Sequence, residues 1–206
     1  MTFPSNPLAP IPTHIEALIF DCDGTLVHTM PTHYRAWVKA LAPYGLTFNT
    51  EQFYGFAGMP TRRIIEILSA EQGINVSAER VAIEKEDMYL SLVHGVLPID
   101  EVIALARRES GHRKLAVASG GWRRIVGASL KAAGIFDLFP VIVGADDVAH
   151  GKPHPDCFLE AARSLGVSPD KCLIFEDGDQ GFEAARRAHI QAIDVRPWYM
   201  PEFRAA

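Results

Sequence analysis

The sequence predicts an α/β fold: a parallel-sheet core interrupted after its first strand by an all-helical insertion. Three observations predict it. Short unbroken apolar runs recur along the chain, each ending at a polar or glycine residue, and continuous apolarity suits strands buried on both faces of a parallel sheet. Amphipathic helical patterns lie between most of those runs, which implies βαβ units with right-handed crossovers. One long stretch, from about Met30 to Val96, carries helical patterns and no convincing strand.

Taken in order, residues 1–14 hold Pro4, Pro7, Pro10 and Pro12, which disfavour helix and central strand, and are expected to form a loose extended arm. The first strand is Ala17-Leu18-Ile19-Phe20, ending at Asp21. The insertion, residues 30–96, reads as three helices at about 31–44, 61–72 and 77–94. In the second, Ile64, Ile65 and Leu68 share one face, with Pro60 before and Gly73 after as start and stop signals. The core is expected to comprise residues 15–29 and 97–206. A helix at 99–108 re-enters it. Runs at 115–118, 141–143, 172–175 and, more weakly, 192–195 then alternate with helices at about 122–133, 155–165 and 182–188.

Composition narrows the class. The chain has 206 residues, 48% hydrophobic and 22% charged, a globular balance that excludes disordered, collagenous and coiled-coil chains. The length suits one domain carrying a smaller inserted module. Net charge is −5, with 20 Lys+Arg against 25 Asp+Glu, so the basic excess of a nucleic-acid partner is missing. Cys22, Cys157 and Cys172 are too few and scattered for a disulfide framework or zinc ribbon. They fit a reducing compartment, and a cytoplasmic location is expected. No apolar run approaches the ~18 residues of a membrane span, and residues 1–14 lack a signal peptide's basic start and apolar stretch.

Polar residues gather where the strands end: Asp21-Cys22-Asp23-Gly24-Thr25, Ser119-Gly120-Gly121, Asp146 and Asp147 followed by Gly151-Lys152-Pro153, and Glu176-Asp177-Gly178-Asp179. Open α/β sheets bind ligands at the carboxyl ends of their strands. Asp21, Asp23 and Asp177 would converge there, and like charges at that range raise one another's pKa unless a cation lies among them. Oxygen donors without His or Cys suit Mg²⁺. Lys152, the Ser119 hydroxyl and the amides of Gly120 and Gly121 at the start of the next helix complete a receptacle for a phosphoryl group.

Asp21-Cys22-Asp23-Gly24-Thr25-Leu26 resembles the DxDGT motif of the haloacid dehalogenase-like (HAD) superfamily, and Ser119, Lys152 and Glu176-Asp177 resemble its three later motifs in order. The likeness runs from Glu16 to Val195. It implies a Rossmann-like core and, through the insertion, the helical cap of the β-phosphoglucomutase-like subfamily. Thr32-His33-Tyr34-Arg35-Ala36-Trp37, Gly58-Met59-Pro60-Thr61 and Lys85 look most like that group's small sugar-phosphate phosphatases, of the fructose-1-phosphate and 6-phosphogluconate type.

The resemblance implies that Asp21 is the nucleophile and Asp23 the general acid/base. It implies that Asp21, the Asp23 backbone carbonyl and Asp177 bind Mg²⁺, with Glu176 bound directly or through water. Ser119 and Lys152 would clamp phosphate, with Gly120, Gly121, His33, Thr61, Arg63 and Lys85 binding a small phosphorylated metabolite. Residues two apart in a strand face the same way, so Asp21 and Asp23 address one phosphate while Cys22 serves packing. Three positions depart from the pattern: His28 for an acidic hinge residue, Gly178 for Ser, and His189 for Gly.

Plainer roles compete with several of these. His33 reads equally as an exposed helix residue, Arg62 and Arg63 as a solvated helix start, and Lys85 as part of the charged face Glu84-Lys85-Glu86-Asp87. Trp37 reads as cap core. His112, His150 and His154 have no ligand-like spacing and read as surface. A phosphomutase on the same scaffold is the main rival function. A receiver-like signalling domain lacks the helical insertion, and a non-catalytic protein would not need four complete motifs.

Overall fold

The computed structural model describes residues 10–56 and 59–200. Its core is a five-stranded parallel sheet. The strands are β1 (Ala17–Phe20), β4 (Lys114–Ala118), β5 (Val141–Val143), β6 (Cys172–Glu176) and β7 (Gln191–Asp194), in the order β5-β4-β1-β6-β7. The first strand is thus central. Phe20 stands opposite Val117 on one side and Phe175 on the other.

Alternation along β1 builds two cores, as the period of two in a strand requires. Leu18 and Phe20 enter one with Val117, Phe175 and residues of α5 (Asp100–Glu109) and α6 (Arg123–Ala132). Ala17 and Ile19 enter the other with Ile174 and residues of α7 (Asp156–Leu165) and α8 (Asp179–Arg187). Helices on both faces explain why these strands read as unbroken apolar runs.

The chain leaves the sheet through β2 (Val27–His28) and returns through β3 (Leu97–Pro98), an antiparallel pair with Val27 opposite Pro98 and His28 opposite Leu97. Between them lie α1 (Met30–Leu41), α2 (Thr50–Gly55), α3 (Thr61–Gln72) and α4 (Ala78–Leu92). These helices have an apolar cluster of their own, including Trp37, Leu41, Phe48, Phe53, Ile65, Leu68 and Val81. Trp37 is core, as its plainer reading expects.

Several elements depart from the expected bounds. The helix expected at 31–44 ends at Leu41 and tightens to a 3₁₀ turn at Ala42–Tyr44, where Pro43 supplies no N–H for a continuing helix. The unexpected α2 is set by a capping box: the Asn49 side chain accepts from Gln52 N at 2.8 Å, and Asn49 N donates to Gln52 Oε1 at 3.2 Å. The helix expected at 182–188 starts earlier, at Asp179. The short α9 (Arg196–Tyr199) was not expected; it buries Trp198, and the Tyr199 hydroxyl donates to the Gly24 carbonyl.

Residues 1–9 of the expected arm lie outside the described residues. Its remainder is packed rather than loose. Ile11 is buried, and the Arg113 guanidinium donates to the carbonyls of Ile11, Pro12 and Ile15.

Candidate active site

The parallel register brings the ends of β1, β4 and β6 to one edge. Asp21 N donates to Phe175 O at 2.9 Å and Ser119 N to Val143 O at 3.0 Å, so both residues extend the ladder by one rung. Strands on either side of β1 run outward in opposite directions, which makes this edge a topological switch point.

Lys152 is the centre of the charge arrangement. Its buried Nζ donates to Asp21 Oδ1 and Glu176 Oε2, each at 2.7 Å. The other Glu176 oxygen, Oε1, accepts from the amides of Asp177 (3.2 Å) and Gly178 (3.0 Å). A Cβ on Gly181 would lie 2.0 Å from that carboxylate, so this glycine in α8 makes room for it. Glu176 therefore holds both the lysine and the turn that presents Asp177. Gly178, where Ser is usual, serves here through its amide.

Asp177 is fixed by Thr25, whose Oγ1 donates to Oδ1 at 2.8 Å. Gly24 lies directly beneath. It has φ +90°, and a Cβ there would stand 2.2 Å from Asp177 Oδ2. The DxDGT loop thus needs glycine for two independent reasons, conformation and space.

The carboxylate oxygens of Asp21, Glu176 and Asp177 lie within 4.8 Å of one another. Burial, Glu176 and the other aspartates outweigh Lys152 and push Asp21 well above the usual carboxylate range. Burial and then Glu176 lift Asp177 to about 7. Lys152 is driven the other way: burial would lower it, but Asp21 and Glu176 prevail and hold it charged. An oxygen-only cluster whose ionised form is penalised in this way fits a hard divalent cation. The Asp23 carboxylate is not part of this cluster.

Asp23 instead faces the helical insertion. His33 on α1 brings Nε2 to 3.4 Å from Asp23 Oδ1. The His33 ring is stacked on Tyr89 at 3.9 Å, and its Nδ1 is 3.1 Å from Lys85 Nζ. An ammonium can only donate, so Nδ1 accepts and the ring proton lies on Nε2, toward Asp23. Burial works against ionisation of Asp23, yet His33, Thr29 and Lys85 outweigh it and leave this carboxyl below its usual value. Burial and then Lys85 lower His33.

The other expected residues divide. Ser119 is buried, and its Oγ accepts from Gly121 N at 3.0 Å. A Cβ on Gly121 would lie 3.5 Å from Ser119 Oγ and 3.6 Å from Asp23 Oδ2, so Gly121 adjoins both. The expected open helix start is only partly present: Gly121 N is held by Ser119, and Arg123 N by Asp146 Oδ1 at 2.7 Å. Lys85, buried, donates to Glu86 Oε1 at 3.0 Å as well as reaching His33. Thr61 Oγ1 donates to the same Glu86 oxygen at 3.0 Å. Glu86, which sequence reasoning passed over inside a charged run, is buried, and its Oε2 has no hydrogen-bond partner among the described residues. Arg63 and Arg62 are exposed and pair with Glu66 at 3.1 and 3.3 Å, away from this network. Gly58 lies outside the described residues. Cys22 is fully buried in the core.

Fold and site together define a hydrolase built on a parallel sheet with carboxylates at its central strand end. A family model described as haloacid dehalogenase-like hydrolase matches residues 15–189. The chain belongs to that family. It is 38% identical over 180 residues to fructose-1-phosphate phosphatase YqaB of Escherichia coli, covering 87% of this chain and 95% of the relative. It is 30% identical to a phosphorylated carbohydrates phosphatase of Thermotoga maritima, covering 87% and 84%. Among solved structures it is similar to CbbY from Rhodobacter sphaeroides in complex with phosphate, with TM-score 0.81, 26% identity, and 87% and 85% of the two chains covered. No helix among the described residues is long and apolar enough to cross a membrane.

Proposed function

We propose that this chain is a Mg²⁺-dependent phosphatase of a small sugar or polyol phosphomonoester, working through an aspartyl-phosphate on Asp21. The observation that carries the reading is the pair of aspartates at one strand end. Asp21 bonds to Lys152 among the clustered carboxylates, and Asp23 bears on His33 of the insertion. Two like groups in opposed environments are the mark of two different roles. The similarity to named sugar-phosphate phosphatases supports the substrate class.

Asp21, Glu176 and Asp177 would hold Mg²⁺, with the Asp23 carbonyl. Bound there, the ion supplies positive charge against the carboxylates and the phosphoryl oxygens. An Asp21 oxygen attacks phosphorus, and the bond from phosphorus to the substrate oxygen breaks. Asp23 gives that oxygen its proton. Asp23 then takes a proton from water, whose oxygen attacks phosphorus and releases Asp21 and inorganic phosphate. Lys152 and Ser119 hold the phosphoryl group throughout. Asp23 starts ionised beside His33; the approach of a phosphate dianion raises its proton affinity, and it takes from solvent the proton that it gives to the leaving oxygen.

The insertion, taken as residues 30–96, acts as a lid hinged at the β2–β3 pair on a core of 15–29 and 97–206. Glu86 Oε2, buried and without a hydrogen-bond partner among the described residues, one residue from Lys85, is the acceptor for a substrate hydroxyl. Hydrolysis is favoured over phosphate transfer within a sugar because the three cations singled out for a second phosphate are paired: Arg62 and Arg63 with Glu66, and Lys85 with His33 and Glu86. A cytoplasmic, metabolite-facing enzyme is the setting this reading implies.

The test is ³¹P NMR of fructose 1-phosphate and of β-glucose 1-phosphate with Mg²⁺ and a trace of glucose 1,6-bisphosphate. Release of inorganic phosphate, lost in Asp21→Asn, is expected. Rapid conversion of β-glucose 1-phosphate to glucose 6-phosphate with little free phosphate would install the mutase instead.

A further inference from the structure

The loop that delivers Lys152 carries a second cluster with different chemistry. Between the 3₁₀ turn Ala145–Asp147 and α7, the chain doubles back so that His150, His154 and Asp156 meet. His150 N and Nδ1 both approach Asp156 Oδ2, at 3.2 and 3.0 Å. The His150 and His154 rings are stacked with centroids 4.8 Å apart and 29° between planes. A turn bond from His154 N to Gly151 O at 3.0 Å fixes the fold of the loop. One nitrogen or oxygen from each of the three side chains lies within 4.8 Å of the others. The histidines are exposed, so ligand exchange with solvent is open.

The geometry points to a surface site for a late first-row divalent cation, with Zn²⁺ as its representative, held by His150, His154 and Asp156 with water completing the shell. Two imidazoles and one carboxylate form a donor set that suits Zn²⁺, Cu²⁺ or Ni²⁺ and not Mg²⁺. The oxygen-only cluster of Asp21, Glu176 and Asp177 has the opposite preference. The contact between His150 Nδ1 and Asp156 Oδ2, at 3.0 Å, already holds two of the three donors together. Lys152 lies between the two histidines in sequence. Occupancy would therefore close a ring through the segment that carries it and tie its flanks together. The spacing of His150 and His154 does not announce this in the sequence; the third ligand comes from the first turn of a helix.

The experiment is a Zn²⁺ titration of the full chain against a chromophoric chelator, with millimolar Mg²⁺ present to occupy the oxygen cluster. His150→Ala/His154→Ala is compared with His112→Ala, an exposed histidine outside the cluster, and with Asp177→Asn. Wild type, His112→Ala and Asp177→Asn are expected to bind Zn²⁺ alike. The double variant should bind at least ~10-fold more weakly, the lower end of what loss of even an outer partner costs a metal site. Zn²⁺ should shift the imidazole ¹⁵N resonances of His150 and His154 and leave those of His94 and His112 in place. It should raise the unfolding temperature of wild type and not of the double variant. Binding by the double variant within 2-fold of wild type, unmoved His150 and His154 resonances, or loss of binding in Asp177→Asn alone would overturn the proposal.

Discussion

Gly24→Ala tests the joint between the DxDGT loop and the metal-binding carboxylate. The added methyl carbon would fall 2.2 Å from Asp177 Oδ2 and 2.9 Å from its Cγ. Ordinary contact needs at least about 3.4 Å, so the carboxylate must withdraw by about 1 Å. That movement breaks the 2.8 Å bond from Thr25, a loss of about 1 kcal/mol. Residue 24 also sits at φ +90°, where a side chain costs about 1–2 kcal/mol. The sum is about 2–3 kcal/mol of stability, or a fall of about 4–12 °C in unfolding temperature for a chain of this length. Displacing Asp177 should also raise the Mg²⁺ concentration for half-maximal activity by ~10-fold or more, since coordination tolerates little misplacement. Thermal unfolding in chelator and a Mg²⁺ titration of phosphate release separate the two effects. An unfolding temperature within 1 °C of wild type together with an unchanged Mg²⁺ titration would refute the reasoning.

Replacing His33 by Asn should lower kcat by ~10-fold, a fraction of what a general acid supplies. It should also move the alkaline limb of kcat/KM to higher pH, because His33 holds Asp23 below its usual value; an unmoved limb would separate His33 from Asp23. Glu86→Gln should depress kcat/KM for fructose 1-phosphate more than for p-nitrophenyl phosphate, which offers no hydroxyl to Oε2; equal losses would mean that Glu86 acts only through Lys85. His189 has φ +54°, so His189→Gly relieves about 1–2 kcal/mol of strain against about 0.5–1 kcal/mol of chain entropy; urea unfolding should show a net gain of about 0.5–1 kcal/mol. In chelator, stability should fall from pH 6.5 to pH 8. Asp177, at about 7, and Asp21, also raised, hold protons in the folded state that the unfolded chain has already released. His33, depressed, has ceased to contribute above its usual value, and Lys152 stays charged throughout. Mg²⁺ should restore more stability at pH 8 than at pH 6.5; a flat profile in chelator would contradict the clustered carboxylates.

The core was legible because burial on both faces writes itself as unbroken apolarity. All five strands of the parallel sheet lie within a residue of the runs that predict them. The pair β2–β3 was not legible, since two residues per strand carry no period. The helix α2 was legible only through Asn49 and Gln52, a capping signal with no long apolar face behind it. In the site, backbone-fixed residues such as Asp21, Gly24 and Asp177 follow from motif and strand end. Long side chains do not, because their tertiary partners decide where they go. Lys85 reaches His33 and Glu86, while Arg63 turns to Glu66, 3.1 Å away. A charged helix face in the sequence contains both outcomes. His189 was legible as a departure, and its positive φ explains why glycine is usual there.

The opposed proton affinities of Asp21 and Asp23 bear on how the proposed reaction would be timed. Asp21 has to be ionised to attack, and its carboxylate neighbours resist that; Lys152 at 2.7 Å supplies part of the compensating charge. Asp23 has to carry a proton to release the leaving group, and the helical insertion resists that through His33, backed by Lys85. Each resistance is tied to a binding event. The first is relieved where a cation and phosphate assemble beside β1. The second is relieved when phosphate charge, or a shift of α1, weakens the hold of His33 on Asp23. His33 belongs to the insertion and Asp23 lies just beyond the end of β1, so in the proposed reaction the position of the insertion would bear on the protonation of Asp23. An enzyme arranged this way is slow to protonate Asp23 until a substrate has entered, because the phosphate charge that raises its proton affinity arrives with the substrate.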